Sequence, residues 1–141
     1  MPRIKIELPE RFSFLTEVPI YIGHINYGHH LDNTALLSLV SEARVRFFKS
    51  LGYSELDVEG VGIVVADVAA QYRSEAFHGE TLVIEMAAND FNKFGCDLVW
   101  RLSDKATGRE VARGKHGIVF FDYTARKPTS VPPAFVAKVS A

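Results

Sequence analysis

One long stretch of this chain loses the two-residue apolar alternation that precedes it, and that break constrains the class of fold open to it. Across residues 34–51 the apolar side chains recur at helical spacing, for about five turns. Asp32 or Asn33 can cap the start, and Gly52 sits where a helix end favours a left-handed residue. The flanks read as strand. Phe12, Phe14, Val18, Ile20 and Ile22 alternate ahead of the helix, with Pro19 marking a sheet edge or a strand end. Behind it, residues 61–73, 81–87, 95–102 and 111–123 read as four strands. The turn Asp104-Lys105-Ala106-Thr107-Gly108 makes the last two antiparallel neighbours. Pro132-Pro133 opens a short terminal segment of one or two helical turns. The order predicts an α+β fold: one long helix against a curved antiparallel sheet of about five strands, the last four in a meander.

A helical wheel places Ser38, Arg46 and Lys49 beside Glu42, and Leu36, Leu37, Val40, Phe47, Phe48 and Leu51 on the opposite side. Arg44 projects into that apolar arc, so its guanidinium must snorkel or find a buried acceptor.

With 141 residues and 48% apolar content, one domain spanning residues 1–141 with a real core is expected, and wholesale disorder is excluded. Sixteen basic and 17 acidic side chains leave a charge of −1, so nothing draws the chain as a whole to nucleic acid or an anionic membrane. The longest apolar stretch, residues 61–70, is far short of a membrane span. The start, residues 1–7, alternates apolar and charged positions and has no signal-peptide block. A single cysteine, Cys96, excludes an internal disulfide and a Cys-x-x-Cys zinc site. A soluble, cytoplasmic domain is expected.

Three of the five histidines crowd into His24-Ile-Asn-Tyr-Gly-His-His30, a loop that feeds the helix start. The first backbone N–H groups of a helix lack intrahelical partners and point at whatever lies beyond them. With Asn26 as a neutral donor and acceptor, His30 as acid or base and Glu42 on the helix, the parts for polarising a carbonyl and delivering water to it are present. The plainer reading of Glu42 is an exposed i,i+4 pair with Arg46, and of Asp32 an N-cap. His24, His29 and His30 lack a further acidic or histidine ligand at helical spacing, so no metal site is expected.

The run His-Ile-Asn-Tyr-Gly-His-His-Leu-Asp-Asn (24–33), followed by Ser-Glu-Ala-Arg-Val-Arg-Phe-Phe (41–48), resembles the hotdog-fold acyl-CoA thioesterases, in the branch named for 4-hydroxybenzoyl-CoA thioesterase. Members show Asp-x-Asp-x-x-Gly-His-Val-Asn-Asn and then a helix with Glu-Ala-Arg. Tyr-Arg-Ser-Glu-Ala-Phe-His-Gly-Glu (72–80) is similar to the family's strand turning at Gly-Asp. The resemblance runs from Phe12 to Tyr123 and implies a hotdog fold. It places Asn26 on the family's second aspartate, the nucleophile or general base in many members, and His24 on the first. An amide can do neither job, and His29 takes the place of the family glycine.

The resemblance therefore implies hydrolysis of an acyl- or aroyl-CoA by water that Asn26 orients and Glu42 or His30 activates. Backbone N–H groups of Asp32, Asn33 and Thr34 would hold the thioester oxygen, with Tyr27, His29 and Tyr72 against the substrate. No cofactor is expected, since coenzyme A arrives as part of the substrate. A homodimer or homotetramer is expected, its active sites at the subunit interface. Arg73, Lys93, Arg109, Arg113, Lys115 and Arg126 are candidates for contacts with the coenzyme A phosphates. The alternatives are a hotdog hydratase or dehydratase acting on acyl-CoA or an acyl carrier protein, and a non-catalytic acyl-CoA binding module.

Overall fold

A computed structural model describes residues 3–140; the first two positions of the N-terminal alternation and Ala141 lie outside the described residues. Strand β1 (Phe14–Pro19) leads through a short 3₁₀ turn (Ile22–His24) and a loop into helix α1 (Asn33–Ser50). Strands β2 (Gly62–Tyr72), β3 (Thr81–Asn89), β4 (Gly95–Asp104) and β5 (Glu110–Asp122) follow. A two-residue β6 (Lys127–Pro128) and a terminal helix α2 (Pro133–Ser140) close the chain. Among the described residues no helix is long and apolar enough to cross a membrane.

The sheet order is β1-β3-β4-β5-β2, antiparallel throughout, with β6 on the end of β5. This is the one-helix, curved-sheet architecture expected for a hotdog fold. β1 is an edge strand and Pro19 its last residue, so both readings of that proline hold. The expected four-strand meander is corrected. β3, β4 and β5 form one, but β2 crosses to the far edge and pairs β5 from Gly62↔Phe121 to Tyr72↔Ala112. Three strand spacings separate β2 from β3, about 14 Å. The curl of the sheet lets residues 73–80 span that gap without a crossover helix, and the segment passes beside the start of α1: the Ala76 carbonyl accepts from the Leu31 N–H at 2.8 Å.

Helix α1 forms where the wheel placed it and buries Leu36, Leu39, Val40, Ala43, Phe47 and Phe48. Asp32 is the N-cap, accepting from the Thr34 and Ala35 N–H groups. Gly52, just past the other end, adopts φ +86°. There the Lys138 ammonium donates to the Leu51 carbonyl at 2.9 Å, so α2 caps α1. Phe135 of α2 is fully buried among Phe48, Tyr53, Phe91 and Phe120, which seals this end of the core. Arg44, the cation in the apolar arc, meets Glu55 at 2.5 Å.

Candidate active site

The loop before α1 is tied by its backbone before any side chain acts. Asn26 N–H donates to the His30 carbonyl at 3.0 Å, and His29 N–H donates back to the Asn26 carbonyl at 3.0 Å. The turn forces His29 to φ +67°, a left-handed conformation that suits glycine and explains why that position can hold one. Asp32 N–H donates to the His24 carbonyl at 2.9 Å. The loop is therefore a closed frame, and it fixes the directions of Asn26 and His30.

Asn26 Oδ1 accepts from the Gly28 N–H at 2.9 Å, and its Nδ2 makes a long contact, 3.5 Å, to Asp32 Oδ1. Those two contacts assign the amide's orientation and leave one Nδ2 hydrogen unengaged. His30 Nδ1 lies 3.2 Å from the Leu31 carbonyl. A carbonyl can only accept, so Nδ1 carries a proton, and in the neutral ring Nε2 is an acceptor with no partner among the described residues. The two side chains meet over Gly28: a Cβ there would lie 3.0 Å from His30 Nε2 and 3.2 Å from Asn26 Oδ1.

Together they line a cavity of about 390 Å³. Its rim is Asn26, His30, Asn33, Tyr72, Ser74 and Glu75; its floor is Leu31, Leu36, Ala76 and Val111. Tyr72 reaches over from β2, and its hydroxyl donates to the Asn33 carbonyl at 3.2 Å. Burial, then the charge of Asp32, raises the Tyr72 phenol above its ordinary range. The tyrosine stays neutral and can donate.

The three expected oxyanion donors separate. Asp32 N–H is taken by His24 and Thr34 N–H by Asp32 Oδ2 at 3.0 Å, which corrects that part of the expectation. Asn33 N–H, at the first helical position, has no partner among the described residues. Asn33 itself lines the cavity. The Asp32 carboxylate also accepts from the Thr34 hydroxyl, which more than any other contact holds it below the usual carboxylate range, with the Ala35 N–H next. Asp32 is an ionised cap.

Other expected residues lie elsewhere. Glu42 is half-exposed on α1 and pairs with Arg46 at 2.8 Å; it does not line this cavity. Tyr27 is 99% exposed at the loop tip, and His29 is exposed beside it. His24 turns away, its Nδ1 accepting from the Tyr21 N–H at 3.0 Å. Of the basic candidates, Arg109 pairs with Glu80, Arg113 with Glu110, and Lys115 with Asp67 and Asp97. Ser74, Ala76 and Val111 went unnamed as cavity residues in the sequence. Residues 73–80 bring Ser74 and Ala76 beside the helix start, and Val111 of β5 holds that segment through its carbonyl, an arrangement that depends on β2 crossing the sheet.

The sequence matches the family model of the thioesterase-like superfamily over residues 20–139. No curated protein sequence matches. Among solved structures, the chain is similar to a 1,4-dihydroxy-2-naphthoyl-CoA thioesterase from Synechocystis: 15% identity, TM-score 0.81, covering 90% of this chain and 95% of that one. A candidate thioesterase of Pseudomonas aeruginosa gives 24% identity and a TM-score of 0.82, over 90% of this chain and 98% of the other. The DHNA-CoA thioesterase of Staphylococcus aureus gives 16% and 0.78, over 89% and 87%. At these identities the likeness is one of fold.

Proposed function

The chain belongs to the thioesterase-like superfamily, and from that premise we propose that it hydrolyses an acyl- or aroyl-CoA thioester to the free acid and coenzyme A. What supports the reading is that Asn33, whose N–H at the start of α1 has no partner among the described residues, lines the same cavity as Asn26 and His30. The thioester oxygen sits between Asn33 N–H and the free Nδ2 hydrogen of Asn26. Both donors strengthen their bonds as the carbonyl becomes an oxyanion. Water lies against His30 Nε2. As its oxygen bonds to the thioester carbon, Nε2 takes the proton. Collapse breaks the carbon–sulfur bond, and His30 returns the proton to the departing thiolate. Asn26 cannot form an anhydride, so water attacks directly.

The protein acts as a homodimer, or as a tetramer of such pairs. What supports this is the long outer edge of β2 and the strip of Val65 (40% exposed), Val68 (44%) and Tyr72 (51%) on its core-facing side. A second copy seated there closes the cavity rim. Glu42, outside its own chain's cavity, then orients the attacking water in the cavity of the second copy. The whole chain acts as one cytoplasmic domain. Its one cysteine, Cys96, is buried and has no second cysteine to pair with, which a reducing compartment suits.

The test is thiol release from a panel of acyl- and aroyl-CoA esters, read with DTNB. Turnover of at least one ester, reduced about a hundredfold in folded Asn26→Ala or His30→Ala, is expected. Absence of release across the panel would sink the reading in favour of a hydratase or a binding module.

A further inference from the structure

We infer that the cavity beneath the start of α1 takes an apolar, uncharged acyl group and selects against one that carries a hydroxyl or a carboxylate away from the thioester. This rests on the thioesterase reading, and it follows from a buried, aliphatic floor and from the one unpaired carboxylate in the lining. The four floor residues are buried: Leu31 at 6%, Leu36 at 2%, Ala76 at 1% and Val111 at 2% exposure. Every polar lining residue is exposed or only half-buried, so polarity is confined to the rim where the thioester lies.

The backbone carbonyls of Leu31, Ala76 and Val111 already hold hydrogen bonds. The Leu31 carbonyl accepts from His30 Nδ1, and the Ala76 carbonyl accepts from the Leu31 N–H. The Val111 carbonyl accepts twice, from Arg73 N–H at 2.8 Å and Ser74 N–H at 3.1 Å. The Ser74 hydroxyl donates to the Glu110 carbonyl at 2.7 Å and accepts from Arg109 at 3.2 Å. A hydroxyl carried to this floor gives up water for aliphatic side chains and for carbonyls that are already hydrogen-bonded.

Charge adds a second filter. Glu75 supplies the one carboxylate in the lining, and its side chain has neither an ion pair nor a hydrogen bond among the described residues. Among the described residues no lysine or arginine lines the cavity to offset it. The Arg109 guanidinium beside this wall is turned to the Glu75 carbonyl and the Glu80 carboxylate. A terminal carboxylate on the acyl group would meet only like charge. Glu75 is thus a specificity-determining residue.

Matched pairs test this: phenylacetyl-CoA against 4-hydroxyphenylacetyl-CoA, and hexanoyl-CoA against the mono-CoA ester of adipic acid. The expected kcat/KM ratio is about a hundredfold in favour of the plain member of the first pair, and at least as large for the second. Glu75→Gln should shift the adipoyl-to-hexanoyl ratio upward about fivefold. Non-hydrolysable thioether analogues of the same four esters, titrated calorimetrically, should bind in the same order. Ratios within about threefold for both pairs would overturn the inference and leave hydrolysis standing. Analogues that bind in the expected order to a protein releasing no thiol would support the inference and overturn the thioesterase reading.

Discussion

The indole N–H of Trp100 donates to Nδ1 of His116 at 2.9 Å, with both rings buried on the core face of the sheet. An indole can only donate, so Nδ1 is bare and the neutral imidazole carries its proton on Nε2. Gly114, one pleat away, makes room for this pair: a Cβ there would lie 2.4 Å from the Trp100 ring. Burial first, and then the positive charge of Arg44, pushes the His116 pKa down to about 4 from 6.5.

That shift predicts where stability is lost in acid. The folded pKa lies below the unfolded one, so between the two the unfolded chain binds a proton that the folded chain refuses. The His116 contribution is complete above about pH 6.5 and falls away as pH drops toward about 4. Urea unfolding should show stability roughly 2 kcal/mol lower at pH 5 than at pH 7.5. His116→Gln should flatten that interval. An unchanged slope in the variant would remove His116 from the account.

At the proposed site, Asn26→Ala deletes one of two oxyanion donors, and kcat should fall by about 10²–10³ with little change in KM. Asn26→Asp, which restores the family's carboxylate, places a second negative charge beside Asp32 and loses the donor. It should not recover the rate. His30→Ala should cost a similar factor, about 10²–10⁴. Steady-state kinetics on the best ester of the panel, beside circular dichroism of each variant, checks all three.

The helix and its cap were legible in the sequence because they depend on local spacing: Asp32 precedes the periodic block, Gly52 follows it, and the structure agrees. Arg44 was legible as a problem, but its solution was not. Glu55 lies 11 residues away in an irregular segment with no pattern to read. The path of β2 was hidden for a deeper reason. Alternation shows that a strand has a buried face but not which neighbour it pairs with, and the crossing to β5 places Ser74, Glu75 and Ala76 at the cavity. The hydrogen bonds that occupy Asp32 N–H and Thr34 N–H likewise belong to loop geometry that residue types alone do not specify.

Arg109 is a positioning residue for that cavity wall. From behind it, the guanidinium donates to Ser74 Oγ, to the Glu75 carbonyl at 3.0 Å and to Glu80 at 3.1 Å. Arg109→Lys keeps the charge but loses the fork that grips three points at once. A wall displaced by an ångström misplaces the acyl group, so kcat/KM should fall about tenfold to a hundredfold. The Glu80 pair is partly exposed, and stability should drop by less than about 1 kcal/mol. A loss of stability without a change in kinetics would make the arginine merely structural.

Glu42 offers the sharpest test of assembly, because its role depends on whose cavity it serves. It pairs with Arg46 on the outer side of α1, away from the cavity of its own chain. If it completes a second copy's site, Asn26→Ala and Glu42→Ala should each be nearly inactive alone. Unfolded together and refolded as a mixture, half of the dimers combine one chain of each kind. In such a dimer one cavity carries both lesions and the other carries neither. About a quarter of the wild-type rate should therefore return. No return would place Glu42 within its own chain's site. A Glu42→Ala enzyme that is active from the start would leave Glu42 with nothing more than its ion pair to Arg46.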